Sequence, residues 1–205
     1  MYHGEKFNSI SHLVGAVLSL VGMTVLVTLA IQQGDPWKIV SFAIYGTTLL
    51  LLYTSSTLYH SLRGPGKILF RKLDHGSIYL LIAGSYTPFT LITLRGPWGW
   101  SLLAVVWILA IAGIILDNLD INGKRKLRVT LYTMMGWLVV IAAYPMIQNL
   151  PVGGITWLVA GGLLYTGGVG FYVFDKKLKH GHGIWHLFVL GGSISHYMTV
   201  ALYLA

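Results

Sequence analysis

Residues 98–116 read WGWSLLAVVWILAIAGIIL, with no charge between Arg95 and Asp117. A helix that spans a bilayer needs about 20 mainly apolar residues, and this run supplies them. A membrane β-strand would instead show strict alternation over about ten residues. Neither Ala104 to Ala112 nor Thr47 to Leu52 alternates. The stretch therefore reads as one transmembrane helix.

Working outward, the same rule divides the rest of the chain. Charges are absent from Lys6 to Asp35, Lys38 to Arg63, Asp74 to Arg95, Arg128 to Asp175, and Lys179 to the end. The gap from Arg128 to Asp175 is about twice the length of one span. Pro145, Pro151, Gly153 and Gly154 break it in two. The sequence thus predicts an all-α membrane protein, a seven-transmembrane helix bundle in one domain over residues 1–205. The expected helices are 11–32, 38–60, 73–94, 98–116, 127–147, 152–173 and 183–204. Turn formers separate them at Gly64-Pro65-Gly66, Gly96-Pro97 and Asn122-Gly123. The first apolar segment is long enough to span and follows polar residues, so it is expected to be kept as a helix and not cleaved as a signal peptide.

Composition agrees. Of 205 residues, 55% are hydrophobic and 10% charged, with a mean hydropathy of +0.71. Soluble domains carry about 25% charged residues, so an ordinary soluble enzyme, a disordered tail and a fibrous repeat are excluded. Cysteine is absent, which removes disulfides, thiolate metal sites and cysteine nucleophiles. Fourteen bases against six acids raise the question of nucleic acid. No soluble aromatic-bearing domain accompanies them, so no nucleic-acid partner is expected.

The bases have a different use. Seven spans place Lys6; Arg63, Lys67, Arg71 and Lys72; Lys124, Arg125, Lys126 and Arg128; and Lys176, Lys177 and Lys179 on one side. These are twelve of the fourteen, with only Lys38 and Arg95 opposite. Short loops rich in Lys and Arg remain in the cytoplasm. The N-terminus is expected inside and the C-terminus outside.

Histidine makes the reading specific. His60 closes the second span, His75 opens the third, and His182 and His186 open the seventh, all at the predicted cytoplasmic level. His182 and His186 stand at i and i+4, about 5–6 Å apart at Cβ. Two imidazoles so placed can take adjacent corners of a metal tetrahedron. His60 can supply a third corner from another helix, leaving a fourth position open. An all-nitrogen site of this kind suits zinc, with iron, nickel and copper left open. Haem would need facing imidazoles on separate helices, so the i,i+4 pair favours a compact ion.

Asp74 is the one acid that this reading places beside the cluster, and a carboxylate there can accept a proton from water. Ser56, one turn before His60, can hydrogen-bond that water or a ligand ring. The alternative readings are plainer. A histidine pair at a helix end is often interfacial decoration, His75 points about 100° away from Asp74, and His3 and His180 are expected in solvent. His12 is expected to close a structural network with Glu5, Asn8 and Ser11. His196 lies about 15 Å further along its helix than His186, where a hydrogen bond to a neighbouring helix would satisfy it. Trp37, Trp98 and Trp100 read as interfacial belt residues, and Trp185 as packing. Gly161, Gly162, Gly167, Gly168 and Gly170, with Gly191-Gly192, allow the last two helices to pack closely.

With these residues in place, the chain resembles the hemolysin III family, the bacterial branch of the progestin and adiponectin receptor superfamily. The resemblance is carried by Glu5, Asn8 and Ser11-His12, by Ser55 to His60, by Asp74 to Tyr79 and on through Ala83 to Pro88. It continues through His182 to His186, Ser193 and His196-Tyr197, and covers nearly the whole chain. It implies seven spans with the N-terminus inside, in the plasma membrane, here a bacterial inner membrane. It also implies a zinc ion held by His60, His182 and His186, with Ser56 and Asp74 around a zinc-bound water. Adiponectin receptors are linked to hydrolysis of the ceramide amide bond, so a metal-dependent hydrolase acting on a lipid amide or ester is the first expectation. The bacterial branch takes its name from haemolysis. The second expectation is thus a pore-forming, cytolytic or membrane-homeostasis protein in which zinc is structural. The absence of a long N-terminal domain before the first span departs from the receptors and puts a hormone-receptor role in doubt. Membrane lipids are the expected partners, and the bundle is compatible with an oligomer.

Overall fold

The computed structural model describes Met1, residues 4–119, the backbone of Lys124 and residues 125–205. The expected positions of His3 and of the Asn122-Gly123 turn lie outside the described residues. The helices are α1 (Lys6–Gln33), α2 (Pro36–Ser61), α3 (Pro65–Pro88), α4 (Pro97–Asn118), α5 (Lys124–Trp137), α6 (Ala143–Asn149), α7 (Val152–Val173) and α8 (Gly181–Tyr203). A π turn, Phe89–Thr93, follows α3, and a 3-10 turn, Leu138–Ala142, joins α5 and α6 into one rod. Among the described residues seven rods result and no strand occurs.

Local chemistry sets the helix ends. Gly34 adopts φ 68°, a left-handed conformation that glycine enters without a Cβ clash, and its N–H caps the Ala30 and Ile31 carbonyls. Asp35 next accepts from the N–H groups of Trp37 at 2.9 Å and Lys38 at 3.3 Å, and Pro36 starts α2. Pro65 and Pro97 start α3 and α4 in the same way.

Two helices begin earlier than the charge pattern suggested. Helix α1 starts at Lys6 and not at 11, and α3 at Pro65 and not at 73. Lys and Arg are good helix formers whose long stems let the charge reach water. Lys67, Arg71 and Lys72 therefore mark the membrane level without ending the helix. Asp74 consequently sits more than two turns inside α3.

The bundle buries polar side chains among its apolar core and turns apolar ones outward. Ser9, Ser41, Ser55, Ser56, Thr87, Thr90 and Thr199 are buried, while Val17, Val21, Ile108, Ile111, Ile141 and Leu163 are exposed. A water-soluble monomer seldom exposes a contiguous apolar patch beyond a few hundred Å², so this surface belongs in lipid. Five rods among the described residues are each long and apolar enough to cross a bilayer. The other two, α3 and α8, carry much of the buried polar chemistry. Helices α7 and α8 meet closely at Gly168, where a Cβ would come within 2.7 Å of Phe188 and 2.8 Å of Trp185.

The α5–α6 break has a visible fastener. The Tyr86 hydroxyl donates to the carbonyls of Met135 and Gly136, each at 2.9 Å, and accepts the Val139 N–H at 2.8 Å. It thus serves backbone groups that the interrupted helix leaves over. Tyr86→Phe is expected to lower stability by about 1–3 kcal/mol, the usual cost of buried groups left unpaired. A thermal melt in detergent checks this, and an unchanged melting temperature would mean that the break holds itself.

Candidate metal centre

Two helices bring the sequence-predicted ligands to one end of the bundle. His60 lies in the last turn of α2, and His182 and His186 lie in the first turns of α8. Their rings form a nearly equilateral triangle, with centroid separations of 5.1 Å for His60–His182, 5.0 Å for His60–His186 and 4.7 Å for His182–His186. One ligand atom from each lies within 4.8 Å of the other two. A metal ion with Zn–N bonds of about 2.0–2.1 Å fits such a group after a small inward closure.

The other nitrogen of each ring explains which face is offered. His60 Nδ1 lies 2.7 Å from Glu5 Oε2. His186 Nδ1 lies 3.1 Å from the Asn8 carbonyl, and His182 Nδ1 lies 3.4 Å from Asp175 Oδ2. A carbonyl or an ionised carboxylate can only accept, so each Nδ1 carries the proton and donates it. Each Nε2 then keeps its lone pair. His60 Nε2 is buried without a hydrogen-bond partner among the described residues, the condition expected of a nitrogen awaiting a cation. The donor set therefore fits a metal.

Both carboxylates stay ionised for this task. Burial pushes Glu5 up, but the Asn8 amide and then His60 outweigh it, and the carboxyl lies below its ordinary range. Burial likewise opposes Asp175, and Arg125 and then His182 bring it down. Arg125 pairs with Asp175 Oδ1 at 2.8 Å and donates to the Tyr172 carbonyl.

These contacts correct two expectations. Asp74 is not alone among acids at the cluster, since Glu5 and Asp175 touch two of its rings. The scarcity of acids that singled out Asp74 applied to them equally, because both fall at the same end of the bundle. His12 does not close a hydrogen-bonded network with Glu5, Asn8 and Ser11. Neither of its nitrogens has a partner among the described residues. Instead its ring stacks on His186, with centroids 3.6 Å apart and planes 13° from parallel. The Asn8 amide donates to Glu5 at 2.8 Å, and the Ser11 hydroxyl donates to the Asn8 carbonyl at 2.9 Å.

Ser56 and Asp74 line a cavity of about 350 Å³ together with His182 and His186. The Ser56 hydroxyl is buried and stands beside the Asp74 carboxyl. The cavity runs on past Ile82, Phe89, Leu102 and Val189 to His196, whose Nε2 donates to the Leu158 carbonyl at 3.2 Å. His75 also lines this cavity but stands outside the three-histidine group. Its Nδ1 accepts from Arg128 at 2.6 Å, and Arg128 pairs with Asp117 at 3.2 Å, tying α3, α4 and α5 together.

Fold and site define a multi-pass membrane protein with a largely buried three-histidine group that could hold a metal ion. The comparisons with known proteins narrow this class. The family model described as "Haemolysin-III related" matches residues 1–197. Over 200 residues the chain is 46% identical to Hemolysin-3 of Bacillus cereus, covering 97% of this chain and 91% of that protein. It is 43% identical over 200 residues to the Hemolysin-3 homolog of Bacillus subtilis (strain 168), covering 97% and 93%. Similarity extends to the human monocyte to macrophage differentiation factor, at 29% identity over 203 residues, covering 96% and 83%. The chain belongs to the haemolysin-III related family.

Proposed function

We propose that this protein is a zinc-dependent membrane hydrolase that cleaves a lipid amide or ester. The observation that carries this reading is the meeting of three Nδ1-anchored histidines, two of which, His182 and His186, line the polar end of a largely apolar cavity together with Asp74 and Ser56. His60, His182 and His186 hold the ion. When bound, zinc supplies Lewis acidity, which polarises a carbonyl and makes water acidic enough to react near neutral pH. A carboxylate oxygen of Asp74 accepts the proton released as water attacks and returns it to the amine or alcohol that departs as the C–N or C–O bond breaks. The Ser56 hydroxyl orients the reacting groups by a hydrogen bond. The apolar walls take the hydrocarbon chain and exclude bulk water, and the substrate comes from the membrane itself. With twelve of fourteen bases on the site's side, the positive-inside rule puts the N-terminus and the site at the cytoplasmic face and the C-terminus outside.

Purified protein loaded with zinc and given vesicles containing an N-acyl sphingoid lipid or a fatty acyl ester is expected to release fatty acid. Chelation should abolish the release and added zinc restore it. The family's name supports the competing reading of a pore. Leakage from dye-loaded liposomes that survives chelation, without any fatty acid release, would replace the hydrolase with that reading.

A further inference from the structure

We infer that the segment Glu5–His12 is a working part of the metal centre, a clamp that positions two of its three ligands before the ion arrives. The inference rests on the reading of His60, His182 and His186 as metal ligands, and it concerns residues outside that set.

Four contacts carry it, each from a different group of the segment. Glu5 Oε2 accepts from His60 Nδ1 at 2.7 Å. The Asn8 carbonyl accepts from His186 Nδ1 at 3.1 Å. The Asn8 side-chain amide donates to Glu5 Oε2 at 2.8 Å, which fixes the carboxylate that in turn fixes His60. His12 lies flat on the His186 ring, 3.6 Å between centroids, and meets Tyr53 edge-on at 5.0 Å. The His186 ring is therefore held by a hydrogen bond in its plane and by a stacked ring against its face. Rotation of the ring would break one or both.

The spacing follows from the early start of α1. In a helix, residues three or four apart share a face. Asn8 and His12 are therefore presented together towards α8, while Glu5, just before the first turn, reaches α2. The docking point on α8 is Gly183, between the two ligands of that helix. A Cβ at 183 would collide with the Phe7 ring and come within 2.9 Å of Asn8 Oδ1, so glycine is what lets the two first turns meet. Phe7 also packs edge-on against His180, at 6.3 Å. This contact places the segment over the start of α8.

Partners of this kind set ligand tautomer and orientation, and their loss commonly costs about 10–100-fold in metal affinity. The test is the zinc affinity of the full-length protein in detergent, measured by competition with a chromogenic chelator, alongside the melting temperature of the metal-free form. Glu5→Ala and His12→Ala are each expected to weaken zinc binding by about 10–100-fold. Glu5→Gln, whose side-chain carbonyl can still accept from Nδ1, is expected to bind nearly as tightly as the parent. The melting temperature of metal-free Glu5→Gln serves as the reference for folding. Parental zinc affinity in Glu5→Ala overturns the clamp, as does an equal loss in Glu5→Gln and Glu5→Ala. A failure of the ligand reading looks different. In that case His60→Ala itself binds zinc as tightly as the parent, whatever the Glu5 variants do.

Discussion

Alanine in place of His60, His182 or His186 is expected to empty the metal centre. Each ring supplies one of three nitrogens gathered within 4.8 Å, and no cysteine exists to substitute. Losing a ligand should exceed the roughly 10–100-fold typical of losing an outer partner, so metal should fall to background in elemental analysis of the purified protein. Fatty acid release should vanish with it. His75→Ala is the matched control, because His75 joins Arg128 and takes no part in the triangle. It should retain metal. Full zinc content in both His60→Ala and His182→Ala would sink the site assignment.

Asp74→Asn is expected to separate binding from chemistry. The amide has the same shape and volume but no oxygen basic enough to take a proton from water. Asp74 is outside the ligand triangle, so zinc should stay. General-base groups contribute about 10²–10⁴-fold, and the turnover rate should drop by about that factor. This equals about 3–5 kcal/mol of barrier at 1.36 kcal/mol per tenfold. The loss should appear in kcat, with KM little changed, because the apolar walls that bind the chain are intact. Ser56→Ala, which removes an orienting hydroxyl and no base, should cost less. A metal-loaded Asp74→Asn that hydrolyses at the parental rate would take the proton-acceptor role away from Asp74.

The two sets of variants rely on different parts of the same site, and how well each part could be read in advance differs. The spans were legible because a charge in the bilayer core is costly, so the gaps between charges outline the membrane. Their inner limits were blurred where the cost is small. Lys67, Arg71 and Lys72 lie in the first turns of α3, since a flexible stem carries each charge to water. The His182–His186 pair was legible because helical geometry alone puts i and i+4 side by side. His60 could be added because its predicted depth matched.

The partners of those rings were not legible in the same way. Glu5 and His60 are 55 positions apart, and Asn8 and His186 are 178 apart. Their meeting depends on how α1 packs against α2 and α8. His12 was readable as buried and polar, yet its contact is a stacked ring and not a hydrogen bond. Residue type could not choose between these, because an imidazole offers both.

What the sequence determined by itself is the membrane class, the number of spans and the residues able to bind a metal. Each follows from solvation cost or from repeats within one helix, and both are local properties of the chain. Only the tertiary structure decided which nitrogen each histidine presents. That choice belongs to Glu5, Asn8 and Asp175, and a proton settles on Nδ1 only when an acceptor from elsewhere in the fold stands beside it.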